Sequence, residues 1–275
     1  NGIEYVEMQL LAELYALMSS KMSNEAIAEV FEAWNQGVLS SYLLEITIQI
    51  LRKKEGDKYL LDMILDKAGN KGTGSWSSKA AFDLGIPNTM MSSAVFARYI
   101  SSFKNTRIKM SELLDSDGSL GEDLNLTSMK KAYEFARLIN HQQGFKLMEL
   151  ASDNYHWDLN FSEIARIWSN GCIIKSHLMN VLHKEFLCST DLFDMELITG
   201  TLINAETALR ETIMSALQER TSMHCFSAAY YYWVDMTTKN LPANLIQAQR
   251  DFFGAHTYQR VDSPESEFYH SQWSE

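Results

Sequence analysis

Apolar residues recur every three or four positions along most of this chain, as expected for helices that each bury one stripe of side chains. The pattern is clearest from Ile3 to Met18, where apolar side chains occupy positions 3, 6, 10, 14, 17 and 18. The same spacing predicts further helices over 23–37, 39–54, 59–66, 126–152 and 191–217. No β-α-β alternation appears, so the sequence predicts an all-α fold.

A short pattern of residues occurs twice and indicates an internal duplication. Glu29-Val30-x-x-x-Trp34-x-x-Gly37 returns as Glu163-Ile164-x-x-x-Trp168-x-x-Gly171, and Leu178 is the counterpart of Leu44. We therefore expect one large helical domain, 1–240, built from two duplicated units at about 1–114 and 122–240. A polar, glycine-bearing break at 115–121 separates the two units.

The last segment of the chain differs in character from the rest. Pro242 opens a short helix, and from Asp251 onward the residues are aromatic and polar without sustained apolar periodicity. We interpret 241–275 as an extended C-terminal tail that needs another surface to lie on. The aromatic run at 226–233 ahead of it is typical of a core or of a subunit interface.

Charge and composition narrow the classes of partner. The 275 residues carry a net charge of −11, which argues against duplex nucleic acid and against an anionic membrane surface. No uncharged apolar run reaches the roughly 18 residues of a membrane-spanning helix, and no signal peptide is visible. Cys172, Cys188 and Cys225 share no metal-site spacing and predict reduced, buried thiols in a cytoplasmic protein. Because the chain opens on Asn1 and enters a helical pattern at once, we expect a fragment of something longer.

Several well-known catalytic signatures do not occur in the sequence. No Gly-x-Gly-x-x-Gly follows a predicted strand, so the chain lacks a dinucleotide-binding Rossmann domain. The seven histidines form no His-Glu-x-x-His or comparable cluster, and we expect no metal. No Gly-x-Ser-x-Gly elbow occurs either. We interpret His141, His177 and His183 as ordinary packing or surface residues.

A glycine-rich stretch, Gly69-Asn70-Lys71-Gly72-Thr73-Gly74-Ser75-Trp76, is the strongest candidate for a ligand site. Its glycines let the backbone approach a ligand closely. Ser77 or Ser78 is expected to cap the short helix that follows, and a second helix carries Arg98 at its far end. Lys71, Thr73 and Arg98 form a donor set suited to a phosphate. They also fit a solvated loop and a helix-end cation, and their spacing leaves both interpretations open.

Four further residues have both an ordinary and a functional interpretation. Glu4 and Tyr5 open the first helix, where a surface carboxylate suits the helix dipole and a phenol suits the edge of the core. Arg250 and His256 flank Phe252-Phe253-Gly254, as a helix-end cation and a tail histidine would. By spacing alone, the ordinary interpretation is the simpler one.

Taken together, these segments resemble the C-terminal helical domain of the decarboxylating 6-phosphogluconate dehydrogenase family. The resemblance covers nearly the whole chain. It rests on Asn1-Gly2-Ile3-Glu4-Tyr5, Lys71-Gly72-Thr73-Gly74-x-Trp76, Ala94-Val95-Phe96-Ala97-Arg98, Leu241-Pro242-Ala243-Asn244 and Gln247-Ala248-Gln249-Arg250-Asp251-x-Phe253-Gly254-Ala255-His256-Thr257-Tyr258. It implies an all-α domain with duplicated units and a homodimer in which the tail of one subunit reaches the active site of the other.

The resemblance also implies an activity in the pentose phosphate pathway. NADP oxidises 6-phosphogluconate at carbon 3, carbon dioxide leaves, and protonation of the enediol yields ribulose 5-phosphate. The resemblance places the general acid at Glu4 and the substrate contacts at Asn1, Tyr5, Lys71, Thr73, Arg98, Arg250 and His256. A glutamate that acts as an acid must hold a proton near neutrality, which burial or the charge of the substrate favours.

This sequence departs from the family pattern in what it lacks and at two positions. The lysine base of the family and its nucleotide-binding domain precede the segment that matches Asn1, and both are absent here. Val6 and Ser77 stand where the family usually has glycine and threonine. We expect Val6 to tighten the packing near the nicotinamide and Ser77 to keep a capping hydroxyl.

We therefore hypothesise that the chain is the substrate-binding and dimerisation domain of such an enzyme. Alone it should be inactive, because the hydride acceptor and the base are missing. The alternative is a non-catalytic helical dimerisation or binding module, against which the joint presence of Glu4, Lys71, Arg98, Arg250 and His256 argues. A related β-hydroxyacid dehydrogenase would leave the phosphate donors unexplained.

Overall fold

The computed structural model describes residues 1–113 and 123–273 and confirms the all-α fold. The helices in these ranges are α1 Gly2–Ser19, α2 Asn24–Trp34, α3 Tyr42–Arg52, α4 Thr73–Leu84, α5 Thr89–Ser102, α6 Lys104–Ser111, α7 Leu126–Tyr155, α8 Phe161–Trp168, α9 His177–Glu185, α10 Glu196–Gln218, α11 His224–Thr237 and α12 Ala243–Gly254. None of these described helices combines the length and the apolar character needed to cross a membrane. The break predicted at 115–121 lies outside the described residues.

The chain divides into two compact units, 1–232 and 233–275. In the first unit, the 30-residue helix α7 packs against α1, α4, α5 and α10. Every residue from 135 to 145 is buried, because neighbours cover this part of the helix on all sides. Phe135 and Phe145 of α7 meet a core to which α1 contributes Val6, Leu10 and Leu14, all fully buried. Burying side chains of this size contributes about 1.5–3 kcal/mol each, so the α1–α7 region anchors the unit.

The two segments that carry the repeated pattern form similar local structures. In each, a glycine with positive φ separates two helices, Gly37 at +110° and Gly171 at +72°. In each, a serine then caps the second helix: Ser41 Oγ accepts a backbone N–H of α3, and Ser176 Oγ accepts one of α9. The two serines also face each other in an isolated antiparallel bridge. The duplication itself stays a prediction.

The helix predicted over 59–66 is wrong. Tyr59 instead ends the second of two antiparallel strands, β1 Lys54–Glu55 and β2 Lys58–Tyr59, and a single 3₁₀ turn, Leu61–Met63, follows. Gly56 has a φ of +61°, which reverses the chain between the strands. An apolar run of this length is too short to sustain a helix by itself, so the glycine turn and local pairing decide its structure.

The cysteines differ from their predicted environment in one respect. All three are free thiols, but only Cys225 is buried; Cys172 is half-buried and Cys188 is exposed. The prediction of three buried thiols is therefore wrong at Cys188. The Sγ atom of Cys225 donates to the Met90 carbonyl at 3.5 Å.

Glu13 of α1 is a buried carboxylate that caps the N-terminus of α11. The residue is only 2% exposed. Its oxygens accept hydrogen bonds from Cys225 N at 2.9 and 3.1 Å and from Phe226 N at 3.3 Å. Burial raises the pKa of Glu13 to about 7, although these N–H donors and the Gln9 amide act in the opposite direction. The folded chain therefore holds a proton on Glu13 that the unfolded chain releases at lower pH.

This difference predicts a pH-dependent stability. A raised folded-state pKa gives a contribution that is complete below the ordinary pKa of 4.5 and is lost as the pH rises through about 7. We expect the unfolding free energy of wild type, relative to Glu13→Gln, to fall by about 3 kcal/mol between pH 4.5 and 8. Glutamine keeps an acceptor oxygen for the α11 amides and does not titrate. Urea unfolding of both chains across this range measures the difference, and parallel pH profiles would contradict it.

Candidate active site

The glycine-rich loop leads directly into α4. Gly72 has a φ of +94°, a left-handed conformation that favours glycine, and is the residue that precedes the first turn. Its carbonyl accepts the first hydrogen bonds of the helix, which therefore begins at Thr73. The predicted start at Ser77 or Ser78 is wrong. Ser77 instead lies inside α4, where its side chain packs against Gly2 of α1.

Asn70 determines the shape of this loop. Its Oδ1 accepts a hydrogen bond from Gly72 N at 2.7 Å, which closes a turn of the kind that asparagine favours. The same oxygen accepts from the Tyr5 hydroxyl at 3.2 Å. Asn70 thus forms one hydrogen bond within the loop and one to α1. These hydrogen bonds bring the loop that carries Lys71 and Thr73 to the first turn of α1, where Tyr5 lies.

The ring of Tyr5 contacts both α4 and α5. The guanidinium carbon of Arg98 lies 3.5 Å from the ring centroid, a cation–π contact that orients the guanidinium plane. A Cβ atom on Gly74 would lie 2.4 Å from the ring, so this approach requires glycine. Arg98 also reaches Gly69 O and Met8 Sδ, each at 3.5 Å. Both contacts are longer than a strong hydrogen bond, which leaves the guanidinium able to bind an anion.

The start of the loop is anchored to the α5–α6 junction. Asp66 accepts from Lys104 Nζ at 2.5 Å and from Arg107 Nη1 at 2.9 Å. These hydrogen bonds lower the pKa of Asp66 to about 2. Two residues later, Ala68 N donates to Ser101 Oγ at 3.0 Å. Because α5 carries Arg98, the same helix end that holds the loop also holds the arginine.

The first unit therefore assembles most of the predicted site residues. Asn1 precedes α1 and is exposed, Glu4 is half-buried and Tyr5 is buried. Lys71 is exposed, whereas Thr73 and Arg98 are half-buried. The contacts of Tyr5 bring Arg98 and the loop together at one end of α1. A buried aromatic floor beneath exposed and half-exposed donors suits a polar, anionic ligand.

Arg250 and His256 belong to the second unit, at the C-terminal end of α12. Both are exposed. Arg250 Nη1 donates to Gln247 Oε1 at 3.0 Å. The His256 ring stands edge-on to Phe253, with ring centroids 6.0 Å apart. The two side chains are thus held at neighbouring positions of one small unit.

Asp251 organises this second unit. Its carboxylate is fully buried and accepts hydrogen bonds from Thr257 N at 2.9 Å, His270 Nδ1 at 2.9 Å, Ser271 N at 3.1 Å and Trp273 Nε1 at 2.7 Å. Burial acts to raise the pKa of Asp251, but these donors hold it well below its usual range. The segment predicted to need another surface thus folds back onto its own helix.

The sequence comparison now decides the family. A family model for the C-terminal domain of 6-phosphogluconate dehydrogenase matches residues 1–273. The chain belongs to this family. The resemblance inferred from the sequence motifs is thereby confirmed.

Curated members of the 6-phosphogluconate dehydrogenase family align along the whole chain. The decarboxylating enzyme of Lactococcus lactis subsp. cremoris is 41% identical over 283 residues, which cover 99% of this chain and 60% of that relative. The Salmonella typhimurium enzyme is 42% identical over 284 residues, with 100% and 60% covered. The chain therefore spans 60% of the length of these relatives.

A solved structure of the family has the same fold. Plasmodium falciparum 6-phosphogluconate dehydrogenase is 40% identical, with a TM-score of 0.94 over 99% of this chain and 61% of that one. That protein is described in its apo form, with its cofactor NADP+ and with its substrate 6-phosphogluconate.

The described residues contain neither a metal-binding cluster nor a parallel sheet. Over 1–113 and 123–273, no group of three His, Cys, Asp or Glu side chains is placed to hold a metal ion. The only sheet in these ranges has two antiparallel strands of two residues, whereas a Rossmann domain binds a dinucleotide at the carboxyl ends of parallel strands.

Sequence reasoning missed several residues that shape the site. The Asn-x-Gly spacing at 70–72 was an available signal for the turn at Asn70. Glu7 and Arg137 form an ion pair at 3.0 Å, and their side chains are 2% and 3% exposed. No local sequence pattern predicts this pair, because the two residues lie far apart in the chain. His141, predicted to be an ordinary packing residue, is buried beside this pair, and burial lowers the pKa of its imidazole.

Proposed function

We propose that this chain is the substrate-binding and dimerisation part of an NADP-dependent enzyme that oxidises and decarboxylates 6-phosphogluconate to ribulose 5-phosphate. The observation that carries the proposal is the convergence of Tyr5, Arg98 and the 69–74 loop at the first turn of α1. The reaction is inferred from family membership, and the substrate-binding site is inferred from this geometry.

The donors at this place match a sugar phosphate. Arg98 offers a planar guanidinium whose orientation is set by the Tyr5 ring. Lys71 adds a flexible ammonium, and Thr73 adds a hydroxyl in the first turn of α4, where the helix dipole also favours an anion. We assign the phosphate to these groups and the sugar acid to the side of Asn1 and Glu4.

Glu4 is the proposed general acid. After carbon dioxide has left, the enediol must gain a proton on carbon to become the product ketose. A carboxylic acid at Glu4 transfers that proton and becomes a carboxylate. Glu4 lies in the first turn of α1, next to Tyr5, which we assign to the substrate-binding site.

The proposal extends to a homodimer in which Arg250 and His256 of one subunit complete the site of the other. The exposure of both side chains on a compact second unit supports this. Leu245, Phe252 and Phe253 of α12 are each more than half exposed, which is typical of a surface that packs against protein. A cytoplasmic location stays a prediction from the sequence.

We define the complete enzyme as this chain joined to the N-terminal portion that its relatives carry. The proposed function requires the complete enzyme to reduce NADP with 6-phosphogluconate, and the 275-residue chain alone to reduce none. A non-catalytic dimerisation module predicts no turnover in either form. An assay of NADPH formation by both forms separates the two functions.

Arg98→Lys is expected to weaken 6-phosphogluconate binding by the complete enzyme roughly tenfold or more. Lysine keeps the charge but loses the planar fork and the stacking on Tyr5. Isothermal titration with 6-phosphogluconate gives the dissociation constant.

Arg210→Lys, on the exposed face of α10, is the matched control and should bind as wild type does. Equal affinity in the Arg98 and Arg210 variants would contradict the assignment of the phosphate to Arg98.

A further inference from the structure

Helix α7 contacts the first turn of α1 through a buried amide. Asn140 is fully buried. Its Nδ2 donates to the backbone carbonyl of Ile3 at 3.0 Å and to Glu7 Oε1 at 3.3 Å. Ile3 directly precedes Glu4, so this hydrogen bond acts on the peptide unit that carries the proposed acid.

A second contact fixes the same turn. Gly144 lies four residues after Asn140 on the same face of α7. A Cβ atom there would lie 2.5 Å from the Ile3 side chain, so the glycine forms a notch that Ile3 fills. Both the backbone and the side chain of Ile3 are therefore held against α7.

The Asn140 hydrogen bond is not needed to satisfy the backbone of α1. Within an α-helix, the Ile3 carbonyl already accepts the N–H four residues further on. Moreover, the Oδ1 of Asn140 is buried without a partner in the described part of the chain. An unsatisfied buried acceptor costs stability, so the amide at this position carries a cost that an apolar side chain would avoid.

The ion pair next to Asn140 likewise adds little to stability. Arg137 Nε lies 3.0 Å from Glu7 Oε2, and both side chains are almost completely buried. Buried ion pairs add little stability compared with apolar side chains, but they restrict how two elements can pack. Arg137 and Asn140 thus form a polar patch that fixes the position of α1 along α7.

The position of Glu4 depends on this polar patch more than the position of Tyr5 does. Tyr5 has its own ties to Asn70 and Arg98. Glu4 is half-buried and lies in the same turn as Ile3, so a shift of this turn moves its carboxyl group.

We propose that Asn140 is a positioning residue that holds the proton-donating turn of α1 through the Ile3 carbonyl. The inference rests on the proposed function, because it gives a role to the acid at Glu4. Proton transfer requires the acid within hydrogen-bond reach of the carbon, and a displacement of about 1 Å can cost a hundredfold in rate.

Asn140→Leu in the complete enzyme tests this. We expect kcat to fall roughly tenfold or more while the KM for 6-phosphogluconate stays within about twofold, because Tyr5 and Arg98 keep their own contacts. Gly144→Ala disturbs the same Ile3 contact from a different position and should lower kcat in the same way.

The matched control is Gln142→Leu. Gln142 is also a buried amide of α7, but it bonds Asp191 Oδ1 at 2.9 Å and Leu192 N at 3.2 Å, away from α1. It should lose stability with kcat unchanged. If wild type turns over 6-phosphogluconate and Asn140→Leu matches Gln142→Leu in kcat, the inference is overturned alone. If wild type shows no turnover, both the proposed function and the inference are overturned.

Discussion

Glu4→Gln should lower the kcat of the complete enzyme by roughly 10²- to 10⁴-fold, the usual contribution of a general acid. The amide keeps the size and the hydrogen-bonding shape of the side chain but has no proton to give to carbon. Because Tyr5, Lys71 and Arg98 are untouched, the dissociation constant of 6-phosphogluconate should change little. The formation of ribulose 5-phosphate measures the first effect, and isothermal titration measures the second.

Glu29→Gln provides the matched control for this experiment. Glu29 is an exposed carboxylate of α2, outside the site, and its replacement should leave kcat unchanged. If Glu4→Gln keeps more than half of the wild-type rate, another group donates the proton. If both variants bind substrate more weakly, a change in net charge is responsible instead.

Arg137→Met should destabilise the 275-residue chain by about 3–5 kcal/mol. The substitution leaves the Glu7 carboxylate buried without its cation, and a buried unpaired charge is far more costly than a buried pair. Burial alone would lower the pKa of Arg137, but the Glu7 carboxylate more than offsets this and holds the arginine charged. Urea unfolding at pH 8 is the suitable measurement, because a high pH disfavours protonation of His141, whose Nδ1 lies 3.9 Å from Glu7 Oε1 and would otherwise supply a replacement cation.

Two further variants give this experiment its reference points. Glu7→Leu combined with Arg137→Met removes the whole pair and should return the unfolding free energy to within about 1 kcal/mol of wild type. Arg166→Met breaks the exposed pair Arg166–Glu163, at 2.8 Å, and should cost at most about 1 kcal/mol. Equal losses from Arg137→Met and Arg166→Met would show that burial does not govern the strength of the inner pair.

Part of this structure follows from local sequence patterns. The stripe from Ile3 to Met18 corresponds to α1. The helix predicted from position 23 corresponds to α2, where Ser23 Oγ accepts the Ala26 N–H. These features depend on residues within one or two helical turns, so the sequence alone determines them. The glycine spacing of the 69–74 loop is also local, and at Gly74 the backbone comes close to the Tyr5 ring. The approach of this loop to a ligand stays a prediction.

Short segments were less predictable, because a few residues do not determine their own conformation. The run at 59–66 and the start of α4 were both assigned wrongly. In each case a glycine with positive φ, Gly56 or Gly72, decided the path of the chain. The sequence shows the glycine, but the surrounding contacts determine which conformation it adopts.

Only the tertiary structure decided which distant residues meet. Arg98 lies on the Tyr5 ring, and Asn140 reaches the Ile3 carbonyl across a sequence separation of 137 residues. Periodicity shows that α1, α5 and α7 each have a buried face, but it does not encode the angle and the offset at which two helices pack. The helices and the candidate donors could therefore be predicted from the sequence, whereas their arrangement around the first turn of α1 depends on side-chain packing between elements far apart in the chain.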